Sequence, residues 1–283
     1  MLIDTLNHED PAVRERVFGF LAPYEPFGLF ILGNLNTRFP GTHLYAAAEA
    51  GRWLGLAGYY DGPRSLIPFS LHPETATALA RHVLVAHPAP EWLLGGAVAA
   101  RPALDVLLEQ GFTLRNNPRH VFMEAPLPDS LEPAREPHLE RVRFIRPGDG
   151  EPVARLLRLL RDPNNPAPLT AQEIAGAEAN ALRVVLEVDG RIVATAATNG
   201  LGIRAFQILG VVTDPAYRQR GYARAVCTAL MRHMHGLGAR HCVLFTDVTN
   251  VAAQRCYAGI GFQITGDFVV AHLAAPVAAA TAP

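Results

Sequence analysis

An arginine- and glycine-bearing loop between an apolar strand and an amphipathic helix limits what this chain can be more than any other stretch. Residues 206–213 (FQILGVVT) are apolar and β-branched and stop at Asp214 and Pro215, the pattern of a strand covered on both faces. Beyond the loop Arg218-Gln219-Arg220-Gly221-Tyr222-Ala223, the residues Tyr222, Val226, Leu230 and Met234 recur every fourth position, so a helix begins at the small residues. Gly221 and Ala223 leave backbone N–H groups uncovered at the helix N-terminus, whose free donors and partial positive charge favour an anion. Arg218 and Arg220 add full charges. The product is a cradle for a diphosphate.

At these residues the chain resembles the GNAT superfamily of acyl-CoA-dependent N-acyltransferases. That family's cofactor signature is Gln or Arg, two residues, Gly, one residue, then Gly or Ala, and residues 218–223 fit every fixed position. The surrounding GVVTDPAYRQRGYARAV is similar to the FR47-like branch. The fit continues through Asn250, Ala253, Tyr257, Gly261 and Phe262 in NVAAQRCYAGIGF. The resemblance implies that acetyl-CoA is the cosubstrate and that Leu209, Gly210, Val211 and Val212 offer backbone groups to the pantetheine arm as an added strand. Arg218, Gln219, Arg220, Gly221, Tyr222 and Ala223 would hold the diphosphate, and a backbone N–H of the same strand would polarise the acyl oxygen. Asn250 matches a residue that contacts the pantetheine arm or adjacent main chain; as an N-cap of the short helix it would stand there in any case. Tyr257 matches the position whose hydroxyl lies near the CoA sulfur, which makes it the candidate general acid, against a bland reading as a core aromatic. Many members carry a Glu on the strand where this chain has Gln207. Deprotonating the nucleophile then falls to a water chain or to a residue such as Asp247, His233 or Glu187.

The first half repeats the order of elements without the cradle. Residues 11–20 read as a helix and 27–35 as either strand or helix. Residues 44–48, 53–60 and 65–70 form a meander of strands, followed by helix 74–87, strand 92–95, helix 97–110 and strand 112–124. The loop at 71–75 (LHPET) offers no glycine or arginine and one acid, so a diphosphate would meet no partner there. Residues 1–127 are therefore expected to be a degenerate copy of the domain at 142–273, with an unrelated α+β cap as the alternative. The Pro- and charge-rich 128–141 reads as a linker, and 274–283 as a flexible tail. In the second half, residues 142–146, 182–188, 192–198, 241–247 and 262–273 read as strands, 151–160 as a helix, and 170–176 as a helix opened by a Thr170/Glu173 capping box.

A length of 283 residues suits two domains, and a formal net charge of -1 with no long basic run excludes general attraction to nucleic acid or acidic membrane. The start MLIDTLNHEDPAVRERV reads as an amphipathic segment with no signal-peptide core, and no apolar stretch reaches membrane-spanning length, so a cytoplasmic protein is the default. Cys227, Cys242 and Cys256 have no CxxC spacing and read as reduced thiols, and His233 and His235 point in different directions on one helix, so no metal is expected. The whole reads as an α/β chain of two tandem GNAT-like domains, each a mixed, mainly antiparallel sheet flanked by helices. The expected activity is transfer of an acetyl group to a primary amine of a small metabolite or peptide, with a homodimer left open. The rival is a CoA-binding regulatory or scaffolding module with little turnover.

Overall fold

Both halves of the chain lay down the same succession of elements: a strand, two helices, a three-strand meander, and then helix, strand, helix, strand. The computed structural model describes residues 1–127, 136–161, 164–180 and 182–276. Most of the expected linker and most of the expected tail lie outside the described residues.

The first half runs β1 (Leu2–Leu6), α1 (Pro11–Leu21), α2 (Glu25–Asn36), β2 (Thr42–Glu49), β3 (Arg52–Tyr60), β4 (Ser65–Ser70), α3 (Pro73–Ala86), β5 (Trp92–Gly96), α4 (Ala97–Glu109), β6 (Thr113–Leu114) and β7 (Arg119–Pro126). Asp10 caps α1, its carboxylate accepting from Ala12 N–H at 2.8 Å. The open choice over 27–35 resolves as helix, with Leu29, Ile31, Leu32 and Leu35 buried. The opening segment is not simply an amphipathic lead-in to α1, because residues 2–6 pair antiparallel with β2. As an edge strand β1 exposes most of its side chains, so its period-2 signal is weak. The strand expected at 112–124 is split ahead of Arg119, where Pro118 brings no N–H to a ladder.

The second half runs β8 (Val142–Phe144), α5 (Gly150–Arg161), α6 (Ala171–Glu178), β9 (Arg183–Val188), β10 (Arg191–Leu201), β11 (Ala205–Thr213), α7 (Tyr222–Gly236), β12 (His241–Asp247) and α8 (Val251–Ala258), and the chain closes with β13 (Gln263–Ala274). The Thr170 capping box forms in full. Asp189 and Gly190 both take positive φ in the β9–β10 hairpin, the geometry that matches strand twist.

Two compact units result, one of residues 1–123, 245–250 and 264 onward, the other of residues 124–244 and 251–263. The expected break at 128–141 is thus crossed by two later segments. The reason is hydrogen bonding: β13 pairs antiparallel with β5, from Phe268 opposite Gly96 to His272 opposite Trp92. In the first unit strand alternation sorts the core into two clusters. One joins Tyr45, Ala57, Leu66 and Leu93 to Leu79 and Val83 of α3 and Leu104 and Leu107 of α4. The other joins Leu44, Leu56 and Ile67 to Val17 of α1 and Leu32 and Leu35 of α2.

In the second unit β8, β9, β10 and β11 form an antiparallel run, and β11 pairs parallel with β12. Tyr222, Val226, Leu230 and Met234 are buried along α7, as the four-residue period requires. No helix among the described residues is long and apolar enough to cross a membrane.

Candidate active site

Strand β11 starts as an ordinary strand and ends as an opened edge. Its parallel ladder with β12 covers Ala205, Phe206 and Gln207. On its other side, Thr195 opposes Val212 and Ala197 opposes Leu209, so one β10 residue faces two on β11, Gly210 and Val211. That is a β-bulge. Gly210 carries it with φ 61°, a backbone that L side chains rarely adopt. A side chain there would meet only ordinary contacts, 3.4 Å from Leu157 and 3.6 Å from Arg183, so conformation rather than space demands the glycine. Leu209, Gly210 and Val211 are half-buried, while Val212 is buried.

The first unit makes a different structure at the same stage. There β3 and β4 pair without a shift, from Gly55 opposite Ser70 to Tyr60 opposite Ser65. The helix that follows, α3, has His72 as N-cap with no side-chain cap bond and Glu74 in its first turn. Between β3 and α3 the first unit therefore has neither a bulge nor a cationic loop.

After β11 the chain turns through Pro215–Tyr217, pinned by the Asp214 carboxylate accepting from Ala216 N–H at 2.9 Å. Gln219 (φ 62°) and Gly221 (φ 84°) are both left-handed. Two such residues flanking Arg220 curl the loop into the kind of turn whose successive N–H groups face a common concavity. Gly221 is the N-cap of α7, which has no side-chain cap, so the N–H groups of its first turn have no partner within the helix. Nothing stands within 4 Å of the place a side chain on Gly221 would occupy, which leaves the approach to these donors open. Arg218 and Arg220 are exposed. Their guanidiniums donate only to Thr213 O (3.3 Å) and Ala216 O (3.5 Å) and, among the described residues, neither has an acidic partner. Two unneutralised cations in the loop that enters an uncapped helix N-terminus are an arrangement that favours an anion.

The other expected residues fall in three places. Tyr257 is buried on α8, its ring 6.0 Å from that of Phe262. Burial first, and then the neighbouring thiols of Cys227 and Cys256, push its phenol well up, so it holds its proton at any ordinary pH. Asn250 falls in the first unit, where its backbone N–H donates to Asp247 O at 2.9 Å. The candidate bases are engaged or remote. Glu187 accepts from Arg143 at 3.0 Å, within a network that also holds Asp149. Asp247 accepts from Thr249 N–H at 2.7 Å and Thr249 hydroxyl at 2.6 Å, which lowers its carboxyl below the usual range. His233 sits in the last turn of α7 with its ring 4.7 Å from Phe144, about 18 Å along the helix from Gly221 at 1.5 Å per residue. Gln207 is buried.

One neighbour of the bulge went unremarked in the sequence. Arg183, the first residue of β9, is almost fully buried and donates from Nη1 to Thr195 Oγ1 at 3.3 Å, beside Gly210. A lone Arg at a strand start carries no sequence signal of burial; only the pairing of β9, β10 and β11 brings it there.

Comparison with known proteins agrees with this construction. Residues 140–262 match the family described as the Acetyltransferase (GNAT) family. No curated protein matches the chain. Among solved structures, an acetyltransferase of the GNAT family from Novosphingobium aromaticivorans is 19% identical with a TM-score of 0.55, covering 87% of this chain and 95% of its own. A Drosophila protein is 13% identical with a TM-score of 0.63, covering 95% and 98%. A tandem GNAT protein from the clavulanic acid biosynthesis pathway is 13% identical with a TM-score of 0.52, covering 96% and 98%. At these identities the likeness is one of fold. With the bulged strand, the left-handed turn and the crossover helix all inside them, residues 140–262 match the acetyltransferase (GNAT) family, and the chain is an acyltransferase enzyme.

Proposed function

We propose that residues 142–273 form an acetyl-CoA-dependent N-acetyltransferase acting on the primary amine of a small metabolite or peptide, and that residues 1–127 are a copy without a cofactor site. The observation that carries this is the pairing of the Gly210 bulge, where β11 has left its ladder with β12, with an uncapped α7 whose entry holds two unneutralised arginines. The residues fit the cosubstrate. Arg218, Gln219 and Arg220 with the N–H groups of Gly221, Tyr222 and Ala223 would hold a diphosphate, and the backbone at 209–212, beyond the ladder with β12, would pair with a pantetheine arm as a strand edge does. Bound acetyl-CoA supplies an activated thioester carbonyl.

Backbone N–H groups at the bulge would polarise that carbonyl. As the amine nitrogen bonds to the acyl carbon and the carbon–sulfur bond breaks, Tyr257 would give its hydroxyl proton to the departing sulfur and recover one from solvent. A phenol held neutral by burial is always loaded for that role. With Gln207 in the strand where many members carry a Glu, the amine would lose its proton through water.

Calorimetry with acetyl-CoA, followed by thiol release across a panel of primary amines, tests the reading. Saturable binding plus amine-dependent release supports it, and absence of heat rejects it. Binding with no release from any amine would favour a CoA-responsive regulatory module, to which the missing strand carboxylate points.

A further inference from the structure

In the first unit, three residues far apart in sequence converge. His43 is the second residue of β2, Asp61 directly follows β3, and His87 is the C-cap of α3. One ligand atom from each, a ring nitrogen from the two histidines and a carboxylate oxygen from Asp61, lies within 4.8 Å of the others. His43 Nε2 is 3.0 Å from Asp61 Oδ2, and the two imidazole centroids are 4.5 Å apart. No metal-motif spacing links these residues in the sequence, which is why reading the cysteines and the pair on α7 did not reach them.

Two imidazoles and a carboxylate are a donor set for a borderline divalent ion, and three protein ligands with an open position is a recurrent arrangement for zinc. With bonds of about 2.0–2.1 Å, ligand atoms around a tetrahedral ion stand about 3.3–3.4 Å apart. The His43–Asp61 edge is already close to that span, and the His87 donor lies within 4.8 Å of both.

The scaffold holds the donors in place. The His87 ring stacks on Tyr59 at 3.9 Å and 14°, and its Nε2 is 2.9 Å from the Tyr45 hydroxyl; both tyrosines are buried. Asp61 N–H donates to Gly41 O at 2.9 Å, and Gly41, at φ 65°, leaves room for the Asp61 side chain that any Cβ would take. Arg64, a nearby cation, is balanced by Glu91 at 2.9 Å. The side chains of His43 and Asp61 are 38% and 56% exposed, so an ion has an entry path and water a coordination position.

We propose that His43, Asp61 and His87 bind one divalent cation of the zinc class, with Tyr45 and Tyr59 fixing the His87 ring, so that the ion ties the β2–β3 hairpin to the end of α3. Such outer partners typically matter about 10–100-fold in metal affinity.

The test uses the full chain, stripped with chelator and titrated with Zn²⁺ by calorimetry and with Co²⁺ by visible absorption. One ion per chain and the intense visible bands of low-coordinate Co²⁺ are expected. The His43→Ala/His87→Ala pair should weaken Zn²⁺ at least about 100-fold, since ligands matter no less than their supports, and Tyr45→Phe about 10-fold. Asp61→Asn keeps the shape of an exposed side chain, so it must also weaken binding with circular dichroism unchanged. No saturable binding to the wild type, or binding that Asp61→Asn and the double variant leave intact, overturns the site.

Discussion

Arg224 and Glu136 form an ion pair of unequal burial: Nη2 donates to Oε2 at 2.9 Å, with the Arg224 side chain 43% exposed and that of Glu136 8%. The pair ties the described segment ahead of β8 to the first turn of α7. Removing the exposed partner strands the buried one, so Arg224→Ala should cost about 2–3 kcal/mol, whereas Glu136→Ala returns an arginine to water and should cost under about 1 kcal/mol. Denaturant midpoints of the two variants check the order; equal losses would show that burial does not set the cost.

The cradle predicts selective loss for the diphosphate. Arg218→Ala with Arg220→Ala should weaken acetyl-CoA about 10–100-fold, on the basis of about 1.5–3 kcal/mol per charged hydrogen bond reduced by solvent exposure. S-acetylpantetheine, which has no diphosphate, should bind both proteins alike. If both ligands weaken equally, the arginines do something other than hold the phosphates.

At the bulge, Gly210→Ala forces a side chain into a left-handed conformation that costs about 1–2 kcal/mol. The surrounding contacts at 3.4 Å and beyond add little. The melting temperature should fall modestly while the KM for acetyl-CoA rises, because the unpaired backbone that would meet the pantetheine arm straightens. A fall in stability with KM unchanged would separate the bulge from binding.

Tyr257→Phe should lower kcat about 100-fold with little change in KM, the scale of a lost general acid. Burial raises the phenol, so the wild type should show no alkaline limb from this group below about pH 10. A limb below that pH that disappears in Tyr257→Phe would contradict the burial of this hydroxyl, and unaltered kcat would assign the ring to packing alone.

Glu173 offers a pH test independent of catalysis. Its Oε2 accepts from Arg158 at 2.6 Å and from Thr170 N–H at 2.8 Å, and its carboxyl drops from 4.5 to about 2, through Arg158 first and Thr170 second. A depressed carboxyl stabilises the fold fully above its unfolded value and loses that contribution as pH falls through the folded one. Wild-type stability should therefore decline from 4.5 toward 2 more steeply than that of Glu173→Gln, while the gap between them stays constant at higher pH.

What could be read in the sequence was local. The four-residue period of α7, the Thr170/Glu173 box and the Asp189-Gly190 hairpin are set by neighbours within a turn, and all three appear where expected. The helix start at Gly221 was legible as well, because a small residue stands directly ahead of the periodic run. Three features were not. The bulge at Gly210 is defined by how β10 and β11 register, the burial of Arg183 by three strands meeting, and the nearness of His43, Asp61 and His87 by a hairpin and a helix end arriving together. Edge strand β1 was missed for the opposite reason, since side chains that face water leave no alternation to detect.

The antiparallel ladder between β13 and β5 carries a consequence for biosynthesis. Translation delivers β5 early, yet the neighbour that covers its open rim arrives only when residues 268–272 have been made, after the whole of the family-matched stretch 140–262. A ribosome stalled before that point would present a nascent protein with an unsealed β edge, the kind of surface that chaperones recognise and that aggregates when left bare. Splitting the gene between its two halves would therefore leave the upstream piece short of a strand.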